Sequence, residues 1–121
     1  MSKTVLLVED TDDTRELMKI MLEMLGHNVI EAADGQEAVD IAQTDGFDLV
    51  LMDIAMPIKD GIEATREIKQ IDKVSDVPII AITAHSDKYK EEALEAGVTE
   101  IVKKPVNFDD LKPILSHYLS V

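Results

Sequence analysis

Val5-Leu6-Leu7-Val8-Glu9-Asp10 is the stretch on which the fold turns: four apolar residues in a row, stopped by two acids. A continuous apolar run, unlike an alternating one, marks a strand buried on both faces of a parallel sheet. Three more runs of this kind follow at residues 49–52, 79–82 and 101–102, and a weaker one at 29–33 lies between the first two. Helical spacing fills the gaps at residues 14–25, 36–42, 62–71, 88–96 and 108–119. Strand and helix therefore alternate five times, which predicts an α/β fold built on a doubly wound parallel sheet. Gly26, Gly35, Gly46, Gly61 and Gly97 all fall at predicted boundaries, where positive φ or a helix stop is useful. Asn107, with Asp110 three residues on, suits the start of the last helix. Pro113, about six residues inside that helix, predicts a kink or a later start.

Working outward, 121 residues fit one domain, and 45% hydrophobic content can supply a core. Lys and Arg number 12 against 25 Asp and Glu, a formal charge of −13. That balance argues against nucleic acid or an anionic membrane as a direct partner, since binding phosphate needs clustered cations. With no cysteine, disulfides, zinc–thiolate sites and thiol catalysis are excluded. No apolar run approaches the roughly 20 residues of a membrane span. The start, Met1-Ser2-Lys3-Thr4, passes straight into the first strand without the features of a signal peptide. A cytoplasmic protein is expected.

Three carboxylates stand out by placement. Glu9 and Asp10 directly follow the first strand run and Asp53 directly follows the third. Ligands of open parallel sheets bind beyond the carboxyl ends of the strands, where the strand order reverses. Should the order be 2-1-3-4-5, the first and third strands are neighbours at that point, and the three acids converge in one crevice. Clustered carboxylates repel one another and call for a cation, and a hard divalent ion such as Mg²⁺ suits an open acidic cleft. Thr83 and Lys104 end later strands at the same edge. This set supports attack by an Asp53 oxygen on a phosphoryl group. Glu9 and Asp10 would hold Mg²⁺, while Thr83 and Lys104 neutralise and hydrogen-bond the transferred group.

At these residues the sequence resembles the receiver domain of two-component response regulators. The motifs are Val8-Glu9-Asp10, Leu51-Met52-Asp53 with Met56-Pro57 and Gly61, Ile82-Thr83-Ala84, and Lys103-Lys104-Pro105. The resemblance covers essentially the whole chain, 1–121, as one domain. Met1 and the ending at Val121 lead us to expect a single-domain protein over an excised receiver. The resemblance implies a flavodoxin-like five-stranded parallel sheet of order 2-1-3-4-5 and a phosphoacceptor at Asp53. It also implies Mg²⁺, with Mn²⁺ able to replace it, bound by Asp10, Asp53 and the Ala55 backbone carbonyl with Glu9 assisting. Phosphoryl contacts from Thr83 and Lys104 and a cis Lys104–Pro105 peptide belong to the same expectation. So does the role: a signalling protein, not an enzyme in its own right, that takes its phosphoryl group from phosphohistidine. The donor is a histidine kinase or a histidine phosphotransfer protein, and the output is a phosphorylation-dependent contact with a downstream protein. A monomer is expected.

Three features depart from the commonest pattern. The acidic pair is Glu9-Asp10 instead of two aspartates. Ile101 stands where many receivers carry an aromatic ring that swings inward on phosphorylation, so that rotamer switch is closed to this chain. Ala55 and His85, two positions beyond Asp53 and Thr83, occupy sites that tune dephosphorylation in the family. His27 reads as a solvated turn residue, and His117 as a residue near the carboxyl end of the last helix. On the first helix, Leu17, Met18, Ile20, Met21, Leu22, Met24 and Leu25 spread over an arc of about 200°. Sheet packing needs little more than about 100°. The edges, such as Ile20 and Leu22, are therefore candidates for an exposed face that docks the kinase or phosphotransfer helix, with Met18, Met21 and Met24 filling core gaps as the plainer role.

Rival functions fit less well. A phosphatase of the haloacid-dehalogenase type places an acid two residues after its nucleophile, where this chain has Ala55. A calcium loop starting at Asp10 would need glycine at Arg15 and glutamate at Met21. A flavodoxin-like cofactor carrier would meet two repelling acids after the first strand. The remaining alternative is a receiver-shaped interaction module that acts without phosphorylation, against which Asp53, Thr83 and Lys104 speak.

Overall fold

A computed structural model describes residues 3–56 and 58–119. Among these residues, β1 (Thr4–Val8), α1 (Asp12–Met24), β2 (Asn28–Ala32), α2 (Gly35–Thr44), β3 (Leu49–Asp53), α3 (Gly61–Lys69), β4 (Ile79–Thr83), α4 (Ser86–Ala96), β5 (Glu100–Lys103) and α5 (Phe108–Leu119) follow one another. The strands form one parallel sheet in the order 2-1-3-4-5, the flavodoxin-like arrangement expected.

The apolar runs are continuous because each strand serves two cores. Leu6, Val8, Val50, Met52, Ile79 and Ala81 point to one face and pack on α2, α3 and α4. Val5, Leu7, Leu49, Leu51, Ile80 and Ile82 point to the other and pack on α1 and α5. The edge strands β2 and β5 are less buried and carry the polar residues Asn28, Glu31, Glu100 and Lys103, which discourage pairing with another sheet.

Several local expectations are corrected. Leu22 is fully buried against the sheet; the apolar residues that α1 leaves exposed are Leu17, Ile20 and Met24, while Met18 and Met21 lie in the core. His27 is buried, with its Nδ1 accepting the Lys3 N–H at 3.3 Å, because the turn folds back under the start of β1. α5 runs unbroken from Phe108 through Pro113, so the later start is excluded. Asn107 and Asp110 exchange side-chain-to-backbone hydrogen bonds of 2.9 and 3.0 Å, the reciprocal cap anticipated. Gly26 and Gly97 do adopt positive φ. Gly35 and Gly61 instead permit close approach: a Cβ would strike the Lys59 carbonyl at Gly35 and the Asp53 carbonyl at Gly61.

Candidate functional site

The parallel register carries the acids to one edge. Val8 pairs with Met52, so the residues that follow β1 stand beside the end of β3. Asp53 in turn pairs with Ile82, one residue before Thr83. Glu9, Asp10 and Asp53 each offer a carboxylate oxygen, and these oxygens lie within 4.8 Å of one another. Glu9 is 2% and Asp53 5% exposed; Asp10 is half-buried at the mouth.

Lys104 reaches into this cluster from beyond β5. Its Nζ donates to Glu9 Oε1 at 3.0 Å and to Asp53 Oδ2 at 3.3 Å. The other Glu9 oxygen accepts the Thr11 N–H at 3.1 Å. Burial pushes the Glu9 carboxyl up, yet the Thr11 amide and Lys104 outweigh it and hold the group below its ordinary value. Asp53 goes the other way: burial first, then the Glu9 charge, raise it to about 7 against the pull of Lys104. Lys104 is itself held above its ordinary value, the two carboxylates outweighing burial. One ammonium facing three carboxylates leaves excess negative charge, and Asp53 is where it is felt.

That donor set fits a hard divalent cation: oxygen ligands, open on one side, with charge to spare. Glu9, buried with both oxygens already taken by Lys104 and Thr11, suits an assisting role; Asp10 and Asp53 are the oxygens left to face an ion. Ala55 is exposed beyond β3.

Thr83 is buried at the end of β4, and its Oγ1 accepts the His85 N–H at 3.1 Å. The hydroxyl proton is therefore free to point at a group bound beside Asp53. His85 is exposed, at the start of α4. Ile101 is half-buried against the core and lines a groove with Ser86, Asp87, Lys90, Leu94 and Glu100. The Lys104–Pro105 peptide is cis, as anticipated, and Pro105 is exposed. Pro57 lies outside the described residues. His117 is exposed and stacks edge-on against Tyr118, away from the acids.

Two supports escaped the sequence reading. Gly61 lets the start of α3 close on the Asp53 backbone, its N–H donating to the Ile54 carbonyl at 2.9 Å. Arg15 donates from Nη1 to the Glu9 carbonyl at 2.8 Å. Neither contact follows from sequence spacing, because both depend on how a loop folds back.

Comparison with known proteins agrees with this geometry. The family model for the response regulator receiver domain matches residues 5–116. The polar-differentiation response regulator DivK of Brucella anthropi is 34% identical over 120 residues, 98% of each chain. A cyclic di-GMP phosphodiesterase of Thermotoga maritima is 38% identical over 117 residues, but the chain spans only 31% of that protein. Among solved structures, the receiver domain of a sensor histidine kinase from Pseudomonas aeruginosa superposes with a TM-score of 0.93 at 36% identity over all of both chains. That structure holds a magnesium ion coordinated in its active site cleft.

Proposed function

The chain belongs to the response regulator receiver domain family, and from that premise we propose that Asp53 is the residue on which it accepts its phosphoryl group in two-component signalling. One observation carries this: Lys104 Nζ lies between Glu9 and Asp53 at 3.0 and 3.3 Å, with the Asp10 carboxylate in the same cluster.

In the proposed reaction an Asp53 oxygen bonds to phosphorus as the phosphorus–nitrogen bond of a phosphohistidine breaks. The donor imidazole leaves with that electron pair and takes a proton from solvent. Asp53 attacks as the carboxylate, the form that burial and the Glu9 charge disfavour and that a cation beside it would favour. Asp10, Asp53 and the Ala55 carbonyl would hold Mg²⁺, or Mn²⁺ in its place, which would supply positive charge to offset that of the transferred group. Lys104 is placed to exchange part of its contact with Asp53 for a phosphoryl oxygen, and Thr83 to donate its hydroxyl proton to another. Glu9 keeps Lys104 in position.

The donor is a histidine kinase or histidine phosphotransfer protein, and we assign its docking to the exposed α1 face of Leu17, Ile20 and Met24. Residues 1–121 form one receiver domain that acts as a cytoplasmic monomer, signals through a protein target and is not an enzyme in its own right. Among the described residues no helix is long and apolar enough to cross a membrane. With Ile101 in place of an aromatic ring, the signal leaves through displacement of α4 and not through a rotamer switch on β5.

The test is intact-mass spectrometry after incubation with acetyl phosphate or a phosphohistidine donor. A phosphate-sized gain that requires both Mg²⁺ and Asp53 is expected. An Asp53→Asn protein that still gains the mass would overturn the assignment. No gain from either donor would favour an interaction module that works without phosphorylation.

A further inference from the structure

We propose that Arg15 is a positioning residue for the acidic crevice: it fixes the peptide between Glu9 and Asp10 and so sets where the Asp10 carboxylate stands. The inference rests on the reading of Asp10 and Asp53 as cation ligands given above.

The chain leaves β1 at Val8, and the next peptide units are tied from several sides. The Glu9 N–H still donates to the Ala32 carbonyl of β2 at 3.1 Å. The Glu9 carbonyl, which has left the ladder, accepts Arg15 Nη1 at 2.8 Å. The Glu9 side chain turns back to the Thr11 N–H at 3.1 Å. Asp10 has no salt bridge among the described residues; its carboxylate meets that of Glu9, and the backbone that carries it sets where it stands. Among the described residues, the side chain of α1 that clamps the Glu9–Asp10 peptide is the Arg15 guanidinium.

Arg15 is itself held. Its Nη2 donates to Asp12 Oδ1 at 2.7 Å, and its Nε lies 3.5 Å from Glu31 Oε1 on β2, where Lys19 takes the other oxygen at 3.5 Å. With its side chain only 18% exposed, it spans three acceptors on the loop, α1 and the edge strand. A planar fork of five N–H donors can do this; a lysine ammonium is a single point and cannot hold the carbonyl and both carboxylates at once.

Positioning and simple charge predict opposite signs. Arg15 is a cation bound to the loop that carries Asp10, so by Coulomb's law alone its removal should tighten cation binding. Removal of a clamp behind a metal ligand should weaken it, commonly by a factor of ten or more. The experiment is calorimetric titration of the full chain with Mg²⁺, together with metal-free Tm, on wild type, Arg15→Gln, Arg15→Lys and Asp10→Asn. Arg15→Gln is expected to raise the Mg²⁺ Kd about tenfold while the metal-free Tm falls by only a few degrees. Arg15→Lys, with its charge intact, is expected to recover less than half of that loss on a logarithmic scale. An unchanged or tighter Kd in Arg15→Gln overturns the proposal, as does a lowered Tm with unchanged Kd. If Arg15→Gln does not fold, Arg15→Lys decides: binding equal to wild type overturns it. A wild type that takes up no Mg²⁺, or an Asp10→Asn protein that binds it undiminished, defeats the cation-site reading itself.

Discussion

α3, which follows the Asp53 strand, buries Gly61, Ile62, Ala64, Thr65 and Ile68, whereas α4, which follows the Thr83 strand, is two residues longer and buries only Ala93 and Ala96. Their ends differ as well. The Asp60 side chain accepts the Glu63 N–H at the start of α3, and Arg66 and Lys69 complement the dipole in its last turn. α4 begins at His85 without a side-chain cap and has no basic residue in its last turn. One side of the crevice is thus a fixed platform, pinned to the Asp53 backbone through Gly61, and the other is a lightly docked helix joined to Thr83. Elements with few buried apolar contacts open or shift at the lowest free energy. If Thr83 engages a phosphoryl group as proposed, the element joined to it is the one that yields more easily.

The platform should hold electrostatic strain, and Asp53→Asn is the sharpest probe of it. With the Asp53 carboxyl raised to about 7 from 3.8, the folded protein binds a proton that the unfolded chain has released. Stability is therefore full below about 3.8 and is lost as pH rises through 7. Asn removes that loss and leaves Lys104 paired with Glu9. Without Mg²⁺ at pH 8 the mutant should be more stable by up to about 4 kcal/mol, and near pH 4 by almost nothing. Urea titrations at the two pH values that give equal gains would refute the strained platform.

Truncation tests the packing side of the contrast. Ile68→Ala should cost about 3 kcal/mol, since the residue is fully buried, while Leu94→Ala on α4, 46% exposed, should stay within about 0.5 kcal/mol. A Leu94→Ala loss above about 1.5 kcal/mol would erase the difference between the helices.

His27 gives a smaller effect of opposite sign at the far edge of the sheet. Burial lowers its pKa, so its contribution to stability is complete above about 6.5 and is lost as pH falls towards the folded value. His27→Gln should flatten the urea midpoint between pH 7 and 5 without altering phosphoryl acceptance. A steeper acid dependence in the mutant would contradict this. The smallest effect is expected at the uncapped end of α4, where His85→Ser should add about 0.5–1 kcal/mol by supplying the missing acceptor. A loss of stability there would mean that His85 already holds the helix.

Much of this was legible in the chain. The runs at Val5, Leu49 and Ile79 announced two-sided burial, and the acids placed just after two of them had only one sheet edge to occupy. Leu22 and His27 were misjudged because helical period and turn composition describe a segment alone. Burial there depends on which stripe of α1 meets the sheet and on the return of the chain beneath β1. Gly35 and Gly61 were legible as boundaries, while the backbone that crowds them comes from a neighbouring loop.

By itself the order of residues determined the element types, their alternation and the chemical kinds gathered at the strand ends, because these follow from local periodicity and from the position of each acid after its strand. Only the tertiary structure decided how the charges share one another. Lys104, 95 residues from Glu9 and 51 from Asp53, meets both, lowering one carboxyl while the other stays raised to about 7. Burial and Coulomb energy depend on distance in space and on exclusion of water, and neither quantity exists until the sheet has closed.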